Sequence, residues 1–522
     1  MMEANLLEID NELMKQNKQL QALLSDALLR LELAEAEIRL LKNKLFGTKS
    51  EKFEPEQPNL FNEVEELCDE AVTEPTYEEV TYKRRKEKRS KEELLKDLPI
   101  ETIEYTLDEP DRLCPYGHGP LRVIGKEVTR EVVVKPAQYF VREHVVYKYA
   151  CKPCEVAGNP DNKTPILAAP KPKRALPGSM ASSSLVAYVI DQKYTYGMPL
   201  YRQEQQFERN GLQISRQTLA NWVIKAANLC EPLYDHMHNR FQTVAVAMAD
   251  ETPVQVLREP GRSATTKSFM WVYRTGRFEA TPMVLYNYRE TRSGQHAKDF
   301  LADFKGYLHV DGYTGYNAVD GITRVGCLVH ARRKFDEALN SYPKKGAERA
   351  RTLTNKALNY FKDIYKIERK IRDLSIDKRL DSRLEKSKPL LDEFFAWLNE
   401  QSVKVLSQSK LGKAISYTLN QWPYLINYLL DGRLEPDNNR TERSIKPFVV
   451  GRKGWLFSNT PKGATASSII YSLVETAKEN NLKPYNYMEY LFDTIPNLDL
   501  TQPGTIDCLL PWSASIPESC RS

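Results

Sequence analysis

The 522-residue chain lacks any apolar run approaching the roughly 20 residues of a membrane span. Its N-terminus has no apolar stretch of the signal-peptide kind. Both absences lead to the expectation of a cytoplasmic protein with no membrane partner. Cysteine is scarce, with eight residues, too few for a disulfide scaffold in a chain this long. Charge of one sign is also lacking. Lys and Arg number 75 against 70 Asp and Glu, a net charge of +5, so affinity for a polyanion has to come from local patches. What remains is an ordinary core-forming composition, 41% hydrophobic and 28% charged, long enough for about three or four domains.

The chain is organised around Met248-Ala-Asp250-Glu-Thr-Pro253, which follows the apolar run Val244-Ala-Val-Ala247. An apolar run ending in a carboxylate is how a buried strand delivers an acid to the rim of a sheet. The pattern returns where Tyr307-Leu-His-Val310 runs into Asp311-Gly-Tyr-Thr-Gly-Tyr316. A third acid, Glu442, stands in Asp437-Asn-Asn-Arg-Thr-Glu442-Arg before a helical stretch, where Asn438-Asn439 can cap the helix and place Glu442 in its first turn. Glu435 and Asp437 are rivals for the third place. Carboxylate oxygens suit Mg²⁺, and two such ions about 4 Å apart suit phosphoryl transfer.

Along the chain, residues 1–46 contain a long helical stretch free of Pro and Gly. Leu6, Leu13, Leu20, Leu24, Leu31, Ile38 and Leu45 lie on one seam, with Asn17 in it. This is a dimerising coiled coil, or else a helix packed on its own chain. Residues 47–99 are an acidic, proline-broken linker followed by the basic run Lys83-Arg-Arg-Lys-Glu-Lys-Arg. Residues 100–168 are β-like and carry Cys114-Pro-Tyr-Gly-His118 and Cys151-Lys-Pro-Cys154, two ligand pairs on two turns, as in a zinc ribbon. One structural Zn²⁺ would be held by Cys114, His118, Cys151 and Cys154, with His144 the alternative ligand.

In 169–238, a helix at Tyr201–Phe207, the turn signal Asn210-Gly211 and a helix capped by Ser215 predict a helix-turn-helix. It would offer Arg216, Gln217 and Asn221 to DNA; an ordinary helical hairpin is the other reading. Residues 239–495 alternate strands and helices around the acids. The interval from Asp311 to Glu442 is more than twice that from Asp250 to Asp311, which implies a helical insertion over 345–430. His330 opens a helix and would orient a phosphate or a water, or serve only as a helix-end residue. Arg332, Arg333, Arg440, Arg443, Arg452 and Lys453 would line a phosphate-rich groove, the alternative being a solvated face. Residues 496–522 carry no signal and are read as a C-terminal tail.

Seven segments taken together resemble the large transposase of the insertion sequence 66 family. They are Lys44-Leu-Phe-Gly-Thr-Lys-Ser-Glu51, Ala249-Asp-Glu-Thr-Pro253, His309-Val-Asp-Gly-Tyr313, Gly326-Cys-Leu-Val-His-Ala-Arg-Arg-Lys-Phe335, Asp437-Asn-Asn-Arg-Thr-Glu-Arg443, Gly451-Arg-Lys-Gly-Trp-Leu-Phe457 and Ile470-Tyr-Ser-Leu-Val-Glu-Thr-Ala-Lys478. The family usually carries a CxxC where this chain has Gly117 in place of the second cysteine, so only Cys151 and Cys154 match directly. The resemblance implies an α+β multidomain protein. Its parts would be an N-terminal coiled coil, a zinc-ribbon-like module, a helix-turn-helix and an RNase H-like α/β catalytic core. The implied activity is that of a DDE transposase, in which Asp250, Asp311 and Glu442 hold two Mg²⁺, with Mn²⁺ as a substitute. The implied partners are the terminal inverted repeats of its own element, target DNA and a second copy of the chain, with accessory proteins of the same element as further candidates. A nuclease without strand transfer, or a DNA-binding regulator with an inactive core, are the readings it competes with. The expected setting is bacterial and nucleoid-associated.

Overall fold

The computed structural model describes residues 138–150, 166–341 and 352–522. The proposed coiled coil, the linker, and Cys114, His118, Cys151 and Cys154 lie outside these residues. The described residues belong to two compact units, divided at Ala168. In the first, β1 (Lys148–Ala150) and β2 (Ile166–Ala168) pair antiparallel, and His144 is exposed.

The second unit begins with three helices. Helix α1 (Ser183–Tyr194) is capped by the Ser182 hydroxyl, which accepts from the Leu185 N–H. Helix α2 (Leu200–Arg209) starts after Pro199, and its Phe207 packs edge-on against Tyr188 of α1. Gly211 then takes a φ of +79°, a conformation open to glycine at little cost. Ser215 caps α3 (Arg216–Phe241), which runs on far beyond a short recognition helix and passes through Pro232.

Five strands form the central sheet in the order β5-β4-β3-β6-β7. Strands β3 (Val246–Gln255), β4 (Lys267–Thr275) and β5 (Val284–Arg289) make an antiparallel meander. After α4 (Gly294–Phe300), strands β6 (Tyr307–Val310) and β7 (Thr323–Gly326) add to the other side of β3 in parallel. Helix α5 (Leu328–Asn340) leaves β7 two residues earlier than His330 alone would suggest.

A helical lobe follows, with α6 (Leu353–Ile371), α7 (Ile376–Ser382), α8 (Lys388–Ser402) and α9 (Lys410–Leu425). Phe335 of α5 packs on Phe361 and Phe394, and Trp397, Trp422 and Val246 and Val325 of the sheet belong to the same buried cluster. The lobe is therefore continuous with the sheet's own core. Its charged anchor is Arg383, fully buried, which donates to both carboxylate oxygens of Glu368 and to the Tyr428 and Asp431 carbonyls. At the lobe's surface Phe395 is partly exposed but stacks on Trp422, and Tyr424 lies under the Arg324 guanidinium.

The chain returns to the sheet in α10 (Asn439–Trp455) and α11 (Pro461–Glu479). Helix α11 is buried without a break from Ser468 to Ala477. It covers the sheet edge at β5, where Ser472 accepts from the Tyr286 N–H and Thr476 bonds both the N–H and the carbonyl of Val284. Edge groups open to a foreign strand are thereby satisfied from within. Helix α12 (Pro484–Thr494) and the residues to 522 are folded against the unit: Leu509 and Cys520 are buried, Tyr487 donates to the Leu509 carbonyl, and Leu482 pairs with Arg521. The expectation of a featureless tail is corrected here. Short turns hide few periodic residues, so their burial left no local pattern.

Candidate active site

Parallel pairing of β3 with β6 ends at Met248 opposite His309. Asp250 and Asp311 each stand two residues further on, so the register brings them side by side where the two strands part. Asp250 itself lies in mid-strand rather than at a strand end, because β3 stays paired with β4 through Gln255. Its Oδ1 accepts from the Glu251 N–H at 2.8 Å. Asp311 ends its strand in a turn, its Oδ1 accepting from the Tyr313 N–H at 2.9 Å. Gly315 is required in that turn, since a Cβ there would fall 2.2 Å from the Tyr313 ring.

Glu442 lies in the first turn of α10, and tertiary contacts hold that helix start in place. Asn438 occupies the cap position but its side chain makes no cap bond. Fully buried, it donates instead to the Ala249 carbonyl at 2.9 Å, beside Asp250, and accepts from the Thr441 hydroxyl. Arg274 of β4, 2% exposed, donates to the Arg440 carbonyl, the Ser444 hydroxyl and Glu479. The Tyr286 hydroxyl donates to the Ser444 carbonyl.

Burial pushes the Asp250 carboxyl up to about 8. The Glu251 carboxylate adds to the rise, the Glu251 N–H opposes it, and the charges of Asp311 and Glu442 add further. Asp311 and Glu442 thus both lie within electrostatic reach of Asp250. The His330 Nε2 and Arg333 Nη2 stand 3.9 and 3.8 Å from Glu442 Oε1. Burial lowers the His330 pKa, and the Asp311 and Glu442 charges oppose that. Of the rivals, Glu435 lies 3.8 Å from Arg440, and Asp437 accepts from the Asn439 N–H and stays within electrostatic reach of Glu442.

The remaining expected residues are dispersed. Arg332 lies 3.5 Å from Asp336. Arg440 is turned inward between Glu435 and Glu479. Arg452 reaches the Thr252 hydroxyl at 3.5 Å, while Arg443 and Lys453 are exposed. Arg216, Gln217 and Asn221 are exposed on the first turns of α3.

Sequence reasoning misses Glu251, Arg274 and Arg292, and gives Asn438 a cap's role in place of its bridge to Ala249. Glu251, fully buried, accepts from Arg292 Nε at 2.7 Å and from the Tyr316 hydroxyl at 2.6 Å, and Arg292 stacks over the Tyr313 ring at 4.0 Å. The available signal was strand alternation, which turns Glu251 to the sheet face opposite Asp250.

Among the described residues, no group of three or more His, Cys, Asp or Glu side chains forms a ready-made metal site. The donor set is nonetheless of the hard-cation type: carboxylate oxygens, with one acid held largely neutral by burial and by its acidic neighbours. A mixed α/β sheet that clusters acids at the parting of two strands, with arginine and histidine beside them, is a class of site suited to phosphate esters.

The sequence profile described as the Transposase IS66 family matches residues 178–466, more than half of the chain. The chain belongs to that family. Further matches are the zinc-finger binding domain of transposase IS66 over 111–155, Transposase C of IS166 homeodomain over 33–103, and the IS66 C-terminal element over 472–512. The chain is similar to three uncharacterized proteins of Sinorhizobium fredii (strain NBRC 101917 / NGR234). These are y4jD, 31% identical over 433 residues, 80% of this chain and 81% of the relative; y4hP, 28% identical over 430 residues, 79% and 75%; and y4qI, 29% identical over 406 residues, 75% and 72%. Among the described residues no helix is long and apolar enough to cross a membrane.

Proposed function

We propose that this protein binds the ends of its own insertion sequence, cuts the DNA there and joins the freed ends to target DNA, with Asp250, Asp311 and Glu442 as the catalytic acids. The observation that carries the reading is the β3–β6 register, which sets Asp250 beside Asp311 where the strands part, with Glu442 near enough to help raise the Asp250 pKa. Strand order and direction, an antiparallel meander with two parallel strands added beside its first strand, support an RNase H-like core.

The three acids would hold two Mg²⁺, or Mn²⁺ in their place. When bound, such ions activate the attacking oxygen and stabilise the leaving one. Water attacks the phosphorus at the element end, the bond to the 3′-oxygen breaks, and a 3′-hydroxyl is left. That hydroxyl then attacks a target phosphodiester, and the target's own 3′-oxygen leaves. Each step exchanges one phosphodiester oxygen for another, with no covalent protein intermediate. His330, beside Glu442, would orient a water or a phosphate. Arg333 neutralises phosphate charge near Glu442.

The helical hairpin α2–α3 would read or grip the element ends through Arg216, Gln217 and Asn221. One Zn²⁺ on Cys114, His118, Cys151 and Cys154 would stabilise the module around them, and the helix in 1–46 would pair two chains in the bacterial cytoplasm. In a test with DNA flanking the coding gene, Asp250→Asn abolishes metal-dependent cleavage and strand transfer while leaving binding within about threefold, because most DNA contacts lie away from the acids. A fully active variant would sink the assignment. Cleavage without joined product would reduce the protein to a nuclease.

A further inference from the structure

Helix α10 leads away from Glu442, and one of its faces stays outside the fold. Arg443, Lys446, Val450 and Lys453 are exposed and follow each other at steps of three, four and three residues. Such steps place them in one stripe along the helix. Among the described residues, none of the three cations is ion-paired. Helix α10 runs from Asn439 to Trp455 although Pro447 lies within it.

The sides of α10 beside and opposite the stripe are fixed. Gly451 and Gly454 approach the Gly197–Pro199 loop, where a Cβ on Gly454 would lie 3.3 Å from Pro199. Phe448 and Trp455 pack on each other. The stripe therefore faces solvent because the helix has no freedom to roll.

The stripe ends in a strained turn. Leu456 has φ 65° and ψ −51°, and the Phe457 N–H donates to the Trp455 carbonyl at 2.8 Å. This is a γ-turn of the rare, strained hand, in a bulky residue that normally avoids positive φ. Two clamps maintain it: Leu456 N–H donates to the Arg452 carbonyl at 2.7 Å, and Ser458 pairs with the strand end at Gln255 and Val256. The strain lifts two apolar side chains into solvent, Leu456 at 64% and Phe457 at 42% exposure. Backbone strain of this kind is kept where the surroundings over-determine it, often at ligand contacts.

The 13-residue interval from Glu442 to Trp455 spans about 20 Å of helix, and β3 from Asp250 to Val256 covers a similar length. A row of unpaired cations fits a polyanion. Its apolar end fits the one apolar feature of such a polyanion, the faces of stacked bases.

We propose that the α10 stripe tracks the backbone of duplex DNA and that Leu456 and Phe457 form a wedge entering the base stack about 20 Å, or roughly six base pairs, from the acids. This rests on the DNA-processing reading of the acids.

The test uses full-length protein and duplexes copied from DNA flanking the coding gene, with 2-aminopurine placed at successive steps. Binding is measured with EDTA present, and the nick is mapped separately with Mg²⁺. The expected result is a several-fold fluorescence rise confined to one or two steps about six base pairs from the nick. Leu456→Ala and Phe457→Ala abolish the rise without changing the salt dependence of binding. Lys446→Ala and Lys453→Ala each flatten that dependence by about one unit of slope. Leu456→Gly raises the melting temperature, because glycine takes this φ freely, yet still loses the rise. A rise that survives both alanine variants overturns the wedge. So does a flat profile on DNA that the protein binds and cuts, which would leave the DNA-processing reading standing. A fall in solution mass on Phe457→Ala without DNA would assign the tip to contact between copies and overturn the proposal. Failure to bind or cut any such DNA would overturn both readings.

Discussion

Adjacent positions on β3 carry two carboxylates that the strand pleat turns to opposite faces. Asp250 sits with Asp311 and Glu442, while Glu251 anchors Arg292 and Tyr316 on the other side. Glu251→Gln keeps one acceptor but loses the ion pair. The expected cost is roughly 10- to 100-fold in cleavage rate with DNA binding retained, the usual effect of disturbing a residue that orients an active centre. Single-turnover cleavage and equilibrium binding, measured side by side, check it. Asp250 offers a pH test. Its folded pKa of about 8 lies above the ordinary 3.8. The group therefore favours folding below pH 3.8, and that contribution is lost as pH rises through 8. Without divalent cations, Asp250→Asn should melt several degrees above wild type at pH 8, with the gap closing toward pH 4. Mg²⁺ should raise the wild type and not the variant. A melting difference that does not vary with pH would remove charge burial as its cause.

At the scale of elements, the hairpin α2–α3 and helix α10 illustrate different origins of position. Ser215 and Gly211 set the hairpin turn locally, and both signals stand in the sequence. If α3 meets DNA, Arg216→Ala weakens binding to all sequences and lowers its salt slope by about one. Gln217→Ala and Asn221→Ala would mainly erode preference for element ends, since a side chain that reads a base edge supplies about 1–3 kcal/mol of discrimination. Titrations at several salt concentrations separate the two, and wild-type behaviour in all three makes the segment an ordinary hairpin. Helix α10 is placed instead by Asn438 and by buried Arg274, which bond groups on other elements. Nothing near Asn438 in the chain distinguishes a cap from a bridge. Its partner, the Ala249 carbonyl, is nearly two hundred residues away.

At the scale of the whole molecule, transposition needs two element ends held together, and a coiled coil over 1–46 would join two catalytic chains. Deleting residues 1–46 should leave a folded core, because the central sheet lies far downstream and buries its own edge through α11. Light scattering of full-length and truncated proteins should show about a halving of mass. Equal masses, after allowing for the deleted residues, would place the dimer contact elsewhere.

The sequence by itself determined the apolar runs ahead of Asp250 and Asp311, the long helical interval before Glu442, the hairpin turn at Gly211 and the family to which the chain belongs. These follow from periodicity, turn chemistry and ordered motifs, all of which act over a few residues. Only the tertiary structure decided that Asp250 lies in mid-strand, that Asn438 bridges rather than caps, that Arg440 turns inward, and that the last residues are packed. Each of those outcomes depends on which distant group fills a hydrogen bond or a space, and a choice between partners far apart in the chain leaves no local pattern to read.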